Sequence, residues 1–515
     1  MRPLTPASLL LFPFLALIAG ALNVFAFAPF GLWPLQIITL AFVFRLAIQE
    51  PSIRRSAWIG WAYGFGWLVA GVHWLYISMH LYGGLPGWMA AVAVALLAFA
   101  LSAFQALAFA AAARFRQRWP VGNGAALLLL LPAAWTLSEW LRGWMFTGFP
   151  WVVSGYAHTA GPLAGYAPLI GVYGLSLLSA VIAGCVVLLL EKKIVAALPA
   201  IALLAAGFGL KMINWTVPHS QPISVRLLQG SVPQEMKFAP EQIEATLALY
   251  YDMIAAAPAD LIATPETAVP LLSSQLPPDY LPQLSAMATR SNSYLALGIP
   301  VTEGPGQYAN SMIGFSPSPT AKLYRYDKHH LVPFGEFIPL GARWFVNMMR
   351  IPLGDFSRGT LLQAPFAVRD QWVLPNICYE DLFGEEIAAQ LSSSLSSDVP
   401  QATILLNLSN IAWFGDSIAL PQHLQISQMR AIETGRPMLR ATNTGATAVI
   451  DPKGEVRAQL PPFTRGALNA RVQGYEGLTP YCRYGNATVV ALAFLLLLIA
   501  ALSGRNNPHT ALKNR

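Results

Sequence analysis

The stretch WVLPNICYED, residues 372–381, carries the clearest structural signal in the sequence. An apolar run interrupted only by Pro375 and Asn376 leads to Cys378, and a tyrosine and two acidic residues follow it. A short apolar run that ends at polar residues is typical of a buried strand, and side chains just beyond a strand are commonly exposed at a binding site. The stretch therefore predicts a β-strand that presents Cys378 in a polar setting.

Two more segments show the same pattern with other ionisable residues. DLIATPE, residues 260–266, ends at Glu266, and YRYDKHHLVPFGEFIP, residues 324–339, carries Lys328. Attack of a thiol on a carbonyl needs a base for the thiol proton and positive charge near the developing oxyanion, and these residues supply both. We also expect the ammonium group of Lys328 to lower the pKa of Cys378. Taken singly, each residue also fits a simpler interpretation. Glu266 could lie in a surface turn, Lys328 could be a solvated charge, and Cys378 could be a buried packing residue.

The composition of the whole chain indicates a membrane protein. Of its 515 residues, 55% are hydrophobic and only 11% are charged, far from the balance of a soluble domain. A helix needs about 20 apolar residues to cross a bilayer. Eight runs are predicted to be transmembrane helices: 9–25, 32–47, 57–77, 88–113, 125–138, 163–190, 194–213 and 488–502. The first run resembles a signal peptide, but because so many runs follow it we interpret it as a retained helix.

Basic residues in the connecting segments predict the orientation of these helices, because Lys and Arg concentrate on the cytoplasmic side. They follow the second, fourth, sixth and eighth runs: Arg54 and Arg55; Arg114, Arg116 and Arg118; Lys192 and Lys193; and Arg505, Lys513 and Arg515. With the amino terminus in the cytoplasm, all four clusters agree on one topology. That topology puts the long segment 218–481 outside the cytoplasm.

Segment 218–481 is predicted to be an α/β domain with its own core, since it alternates short apolar runs with polar stretches. Strands are predicted at 225–229, 261–264, 294–299, 403–408 and 446–450, and helices at 241–256 and 420–433. We therefore expect three parts along the chain: a membrane domain of seven helices, 1–217; a catalytic domain, 218–481; and a last transmembrane helix with a cytoplasmic tail, 482–515.

Charge and cysteine content argue against several other classes of protein. The formal net charge is +7, but the basic residues form short clusters and no dense stripe, which argues against a nucleic-acid partner. The three cysteines, Cys185, Cys378 and Cys482, are too few and too scattered for a disulfide framework or a CxxC metal site. We expect neither a metal ion nor a cofactor.

Five motifs occur in the second half of the chain: PETA, YDKHHLVPFGEFIPL, ICYED, NLSNIAWFGDS and HLQISQMRAIETGRPMLRATNTG. Together with seven apolar runs in front and one behind, they resemble the bacterial apolipoprotein N-acyltransferase family, a membrane-embedded branch of the nitrilase superfamily. The resemblance covers essentially the whole chain. It implies a multi-spanning α-helical membrane domain in the bacterial inner membrane and a periplasmic nitrilase-like α/β/β/α sandwich. It also implies a catalytic triad in which Glu266 is the general base, Lys328 stabilises the oxyanion and Cys378 is the nucleophile.

The resemblance extends to residues around this triad. Glu336 and Glu380 match acidic positions that support the site, and the main-chain N–H of Tyr379 matches a second oxyanion donor. Ordinary salt bridges to Lys328 or to Arg residues, and a purely structural role for Tyr379, are the alternatives. Substrate contacts are implied for three aromatic residues, with loop packing as the alternative: Phe238, Trp413 and Phe414.

Two positions depart from the family pattern. Phe238 stands where the family commonly has Trp, and Ile411 stands where Asp is usual. The first departure keeps an aromatic ring but weakens the case that this position is critical. The second puts a local turn or hydrogen bond in doubt and leaves the triad unaffected.

The reaction that the resemblance implies passes twice through Cys378. A phospholipid, with phosphatidylethanolamine as the expected donor, first acylates the thiol. The α-amino group of the diacylglyceryl-cysteine that begins an apolipoprotein then attacks the thioester. Two other hypotheses stay open: a membrane-bound amidase that uses water in the second step, and a transporter or scaffold whose outer domain only binds a ligand.

Overall fold

The structure, a computed structural model, describes residues 6–505 apart from 236, 238, 319, 340, 342, 347 and 349–354. The chain divides into two compact units. The first comprises Met1–Tyr76, Trp88–Ile213 and Tyr484–Arg515, and the second comprises Ile77–Gly87 and Asn214–Arg483.

The first unit is helical. Its longer helices are Pro6–Leu22, Trp33–Gln49, Ile53–Val72, Gly87–Leu101, Ala103–Arg118, Leu131–Trp144, Ala167–Leu190, Ala197–Leu210 and Ala487–Arg505. Four helical segments of the described chain are long and apolar enough to cross a membrane: Gly87–Arg118, Asn123–Thr147, Pro162–Leu190 and Ala487–Gly504. Three more are apolar but shorter: Leu11–Ala26, Trp33–Gln49 and Ile194–Leu210. Several apolar helices thus form a membrane region, whereas the number of eight spans stays a prediction.

Two ionisable side chains are buried near the end of helix Leu131–Trp144. Glu139 accepts hydrogen bonds from the main-chain N–H (2.8 Å) and the hydroxyl (3.0 Å) of Ser154. Arg142 donates to the carbonyls of Phe149 (2.7 Å) and Trp151 (2.9 Å). Because an unsatisfied polar group is costly inside a bilayer, these bonds fix the segment that follows the helix against it.

The second unit contains twelve described strands in two sheets. They are β1 (Val217–Gln229), β2 (Leu261–Ala263), β3 (Tyr294–Gly304), β4 (Gln307–Phe315), β5 (Tyr324–Asp327), β6 (Phe366–Val368), β7 (Gln371–Ile377), β8 (Ile404–Ser409), β9 (Met438–Thr442), β10 (Ala448–Ile450), β11 (Val456–Gln459) and β12 (Gly466–Glu476). One sheet has the order β12-β1-β2-β3-β4-β5 and the other has the order β11-β10-β9-β8-β7-β6. All five predicted strands fall on strands of these sheets.

Apolar side chains of both sheets form one core, to which β1, β7, β8 and β9 contribute Leu227, Ile377, Leu406 and Leu439. Full burial of each such side chain contributes about 1.5–3 kcal/mol to the free energy of folding. Helices cover the outer faces: Pro240–Ala255 and Tyr280–Ser291 pack on the first sheet, and Gly384–Ser392 and Ala419–Thr434 pack on the second. The predicted α/β/β/α sandwich is therefore confirmed.

Parallel strands lie at the centre of each sheet. β1, β2 and β3 run parallel to one another, as do β7, β8 and β9. Glu266 lies three residues beyond the end of β2, whereas Cys378 directly follows β7. β2 and β7 belong to different sheets, so Glu266 and Cys378 each follow a parallel strand of one of the two sheets that share the core.

Candidate active site

Cys378 directly follows β7, where the chain enters a short 3₁₀ helix, Cys378–Leu382. Its φ angle is +51°, in the left-handed region that non-glycine residues rarely adopt. Asn407 of β8 donates a hydrogen bond from Nδ2 to the carbonyl oxygen of Cys378 at 3.3 Å. Since such a backbone conformation persists only where neighbouring groups hold it, the turn keeps the thiol in one orientation.

Glu266 and Lys328 meet in a buried polar cluster with Glu336 and Asn310. Lys328 donates from Nζ to Glu266 Oε1 at 3.2 Å and to Glu336 Oε1 at 2.9 Å. Asn310, on β4, donates from Nδ2 to the same two oxygens, at 2.8 and 2.7 Å. Only 1% of the Lys328 side chain is exposed. The structure thus brings the predicted base and the predicted cation side by side.

Main-chain groups orient the two carboxylates of this cluster. The N–H of Asn410, just beyond β8, donates to Glu266 Oε2 at 2.9 Å. The N–H of Val332 donates to Glu336 Oε2 at 2.8 Å. Both carboxylates therefore have each oxygen in a directional bond, which leaves little freedom for rotation.

Burial, together with the negative charge of Glu266, raises the pKa of Cys378 to about 12, although the charge of Lys328 acts in the opposite direction. The lowering effect expected of Lys328 is therefore present, but the net pKa of Cys378 lies above its ordinary value. Loss of hydration outweighs the effect of one ammonium group that already pairs with two carboxylates. The thiol carries its proton at neutral pH, so nucleophilic attack needs a base within the site.

Burial lowers the pKa of Lys328, but the charges of Glu266 and Glu336 more than offset it and raise that pKa above its ordinary value. The Lys328 side chain is therefore a permanent cation. A protonated thiol, a carboxylate and a fixed cation are the groups that acyl transfer through cysteine requires.

Comparisons with known proteins assign the chain to a family. Residues 19–185 match the apolipoprotein N-acyltransferase N-terminal domain, and residues 224–481 match the carbon-nitrogen hydrolase domain. The apolipoprotein N-acyltransferase of Ralstonia nicotianae is 52% identical, over 96% of this chain and 94% of its own. Those of Nitrosomonas europaea and Chromobacterium violaceum are 45% and 43% identical, over 94% and 97% of this chain and 97% and 95% of theirs. The chain belongs to the apolipoprotein N-acyltransferase family. It is accordingly an acyltransferase.

In this chain, Glu380 links the loop that carries Lys328 to the end of β7, which Cys378 follows. Its Oε1 accepts from the N–H groups of His329 (2.7 Å) and His330 (3.2 Å). Its Oε2 accepts from the N–H of Ile377 (2.6 Å) and the hydroxyl of Tyr326 (3.0 Å). Burial raises the pKa of Glu380 to about 7, although these N–H donors lower it. Its hydrogen-bond partners are N–H and hydroxyl groups, whereas Glu336 makes the ion pair with Lys328.

The remaining predicted residues are the four aromatic ones, Tyr379, Trp413, Phe414 and Phe238. The Tyr379 side chain is nearly buried and packs edge-on against Phe383, with ring centroids 5.3 Å apart. Trp413 and Phe414 end a 3₁₀ helix, Ile411–Phe414, and both are partly exposed. The Trp413 ring meets the ring of Tyr82 edge-on at 5.8 Å. Phe238 lies outside the described residues.

Three residues of the cluster were not predicted from the sequence. Asn310 lies within β4 and Asn410 just beyond β8, in the motif NLSNIAWFGDS. The third is Lys237, which is 2% exposed and donates from Nζ to the carbonyl oxygen of Glu266 at 3.3 Å. Burial lowers the pKa of Lys237 to about 8 against the opposing charge of Glu266. Asn410 could have been found from its motif, whereas no local signal distinguishes Asn310.

Proposed function

We propose that the protein moves an acyl chain from a phospholipid, phosphatidylethanolamine in the first instance, to the α-amino group of the diacylglyceryl-cysteine at the start of an apolipoprotein. The acyl chain would travel as a thioester on Cys378. The observation that carries this proposal is the buried cluster in which Glu266 and Lys328 share a hydrogen bond beside a protonated thiol.

In the first half-reaction, Glu266 takes the proton of Cys378 as the sulfur attacks the ester carbonyl of the phospholipid. The S–C bond forms, the C=O π bond opens, and Lys328 with the N–H of Tyr379 stabilises the oxyanion. The C–O bond to glycerol then breaks, the C=O bond re-forms, and Glu266 returns the proton to the departing alkoxide. Lyso-phospholipid leaves, and the enzyme holds the acyl chain as a thioester.

In the second half-reaction, the α-amino group of the lipoprotein attacks the thioester carbonyl. Glu266 accepts a proton from the attacking amine, the same donors stabilise the second oxyanion, and the thiolate leaves. The proton on Glu266 then returns to the sulfur of Cys378. The products are the N-acylated lipoprotein and the enzyme in its starting protonation state.

We further propose that eight membrane spans hold the catalytic domain on the periplasmic side of a bacterial inner membrane. The parts along the chain would be a membrane domain of seven helices, 1–217, the catalytic domain, 218–481, and a last helix with a cytoplasmic tail, 482–515. Four separate clusters of basic residues support this orientation. Both proposed substrates are lipids, and exposing their acyl chains to water costs about 0.8 kcal/mol per CH₂. An enzyme anchored in the bilayer avoids that cost. Trp413, Phe414 and Phe238 would contact the acyl chains.

The test is intact-mass analysis of the purified full-length protein after incubation with phosphatidylethanolamine alone. We expect an adduct of one acyl chain that hydroxylamine removes, since hydroxylamine cleaves thioesters. Cys378→Ala should lose the adduct completely. Cys482→Ala and Cys185→Ala are matched controls, because both cysteines are buried outside the cluster, and both variants should keep it. An adduct that persists in Cys378→Ala would refute the proposal.

A further inference from the structure

The proposed base and the proposed nucleophile come from different sheets of the sandwich. Glu266 lies three residues beyond the end of β2 in the first sheet, and Cys378 follows β7 in the second. The main-chain N–H of Asn410, just beyond β8 of the second sheet, donates to Glu266 Oε2 at 2.9 Å. This bond crosses from one sheet to the other, so the direction of the Asn410 N–H bears on where the base lies relative to the thiol.

Asn443, the residue directly after β9, holds the peptide unit that carries this N–H. Its main-chain N–H donates to the carbonyl oxygen of Ser409 at 3.2 Å, and its Nδ2 donates to Asn410 Oδ1 at 3.2 Å. A peptide unit is planar and trans, so its C=O and N–H bonds point in opposite directions. A bond that holds the Ser409 carbonyl therefore also fixes the direction of the Asn410 N–H.

The main chain of Val232 fixes the orientation of the Asn443 amide. The Val232 N–H donates to Asn443 Oδ1 at 3.0 Å, and Asn443 Nδ2 donates to the Val232 carbonyl at 2.8 Å. Because a main-chain N–H can only donate and a carbonyl can only accept, the oxygen and the nitrogen of this amide are not interchangeable. Asn410 must then present its Oδ1 to Asn443, which leaves its Nδ2 to donate to Gln234 Oε1 at 2.9 Å.

This amide cluster, Asn443, Asn410 and Gln234, is buried and joins the two sheets. The exposed fractions of these residues are 1%, 6% and 5%. Val232 and Gln234 lie in the segment after β1 of the first sheet, whereas Asn410 and Asn443 follow β8 and β9 of the second. Since a buried amide that loses its partner costs about 1–3 kcal/mol, the bonds of this cluster resist a shift of one sheet against the other.

We propose that Asn443 is a positioning residue for the base. It holds the Ser409–Asn410 peptide so that the Asn410 N–H keeps the Glu266 carboxylate aligned with the thiol of Cys378. The inference rests on the proposed function, because it assumes that Glu266 takes the thiol proton. It predicts that the Asn443 side chain affects removal of the proton from Cys378 and spares the binding of phospholipid.

The first experiment removes the side-chain bonds of Asn443 in the full-length enzyme. Asn443→Leu has a similar volume and cannot donate, and Asn443→Ser is a second variant whose short polar side chain loses the same bonds. At saturating phosphatidylethanolamine, each should form the thioester about 10²-fold more slowly, since displacements near 1 Å have effects of that size. The phospholipid concentration for half-maximal rate should not change. Asn469→Leu, at an exposed asparagine of β12, is the matched control and should keep the wild-type rate.

A double variant tests whether Asn443 acts through Asn410. Asn410→Leu removes their shared bond from the other side. Changes at residues that act through one contact are not additive, so the double variant Asn443→Leu/Asn410→Leu should be no slower than the slower single variant. A wild-type rate in Asn443→Leu, or losses that multiply in the double variant, would overturn the inference.

A reaction that needs no phospholipid separates positioning from a general loss of structure. With Cys185 and Cys482 replaced by alanine, iodoacetamide alkylates Cys378 alone. In Glu266→Gln the sulfur reacts only as free thiolate, so the ratio of its rate to that of wild type should rise by about tenfold per pH unit between pH 6 and 7.5. The ratio for Asn443→Leu should rise in the same way. The other ionisable groups of the site are common to all three proteins and cancel in this ratio: Lys237, Lys328, Glu336 and Glu380.

A ratio for Asn443→Leu that does not change with pH would contradict the positioning role, because a disordered site would slow alkylation equally at every pH. Failure of the proposed function itself would show in Glu266→Gln, as alkylation at the wild-type rate, or in Cys378→Ala, as an acyl adduct that persists. The first of these outcomes would overturn the role of Asn443 together with that of the base.

Discussion

At the scale of single residues, the site balances its charges. Two carboxylates, Glu266 and Glu336, lie with two ammonium groups, Lys328 and Lys237, around a thiol that keeps its proton. Formation of the oxyanion moves the negative charge of Glu266 to the substrate oxygen, and a low dielectric makes any uncompensated charge costly. Without Lys237 the cluster would be negative before the reaction begins.

Lys237→Met should therefore slow thioester formation at neutral pH by about tenfold or more. A tenfold change corresponds to about 1.4 kcal/mol of activation free energy. In the wild type the rate should fall as pH rises through about 8, because Lys237 then loses its charge. Rates of adduct formation between pH 6 and 9.5 check both points. Lys322→Met removes an exposed lysine and should leave rate and profile unchanged. A wild-type profile that is flat across pH 8, or a variant that keeps the same fall, would contradict this role.

The sequence predicted Glu266, Lys328 and Cys378 as site residues because each follows a strand-like run and belongs to a motif. The structure brings Glu266 and Lys328 together, whereas the catalytic roles of all three stay a prediction. The sequence did not predict the protonation state of Cys378. Pairwise reasoning gave the correct direction for the effect of Lys328 on the pKa of Cys378, but it left out the loss of hydration, which outweighs that effect. Asn310 lies within a strand whose local sequence carries no sign of function, and only the packing of β4 brings it to the cluster.

At the scale of elements, one glycine sets how closely two strands approach at the site. A Cβ atom on Gly298 of β3 would lie 2.2 Å from the carbonyl oxygen of Pro265 and 3.0 Å from Glu266 Cα. The Gly298 N–H donates to Thr264 Oγ1 at 3.0 Å, which ties β3 to the segment just after β2. The position of Glu266 therefore depends on the absence of a side chain on the neighbouring strand.

Gly298→Ala should push the Pro265–Glu266 segment away and slow thioester formation by about 10²-fold, since displacements near 1 Å have effects of that size. The overpacking should also reduce the free energy of unfolding by about 1–3 kcal/mol. Adduct kinetics and thermal melting measure the two effects. Gly304→Ala is the control on the same strand, because its Cβ would meet nothing closer than 3.7 Å. Equal rates in the two variants would argue against this account.

Strands that consist of continuous apolar runs were predictable, as β2, β3 and β8 illustrate. Their central positions bury both faces, so their sequences contain few polar residues. Strands at the sheet edges were not predicted. β5, β6 and β11 each have three or four residues and at least one exposed side chain, whereas the equally short β2 is buried throughout. Such short, partly exposed strands show neither a long alternation nor a fully buried apolar run.

At the scale of the whole molecule, the proposed orientation is open to a direct labelling test. In a background with all three cysteines replaced by alanine, Lys453→Cys adds an exposed thiol to the catalytic domain, and Lys192→Cys adds one after helix Ala167–Leu190. A membrane-impermeant maleimide should label Lys453→Cys in intact spheroplasts. It should label Lys192→Cys only after permeabilisation, because cytoplasmic basic loops are shielded by the bilayer. The reverse pattern would rule out the orientation.

The first and last strands of the sandwich are neighbours. β1 and β12 pair antiparallel, and the pairing begins at Val217 and Glu476. The two ends of the segment 217–476 therefore lie side by side. Along the chain, one helix ends at Leu210 before this segment and another begins at Ala487 after it. A segment whose ends are adjacent can be inserted into another protein at a single site. A circular permutant that joins Glu476 to Val217 would keep every other strand pairing intact.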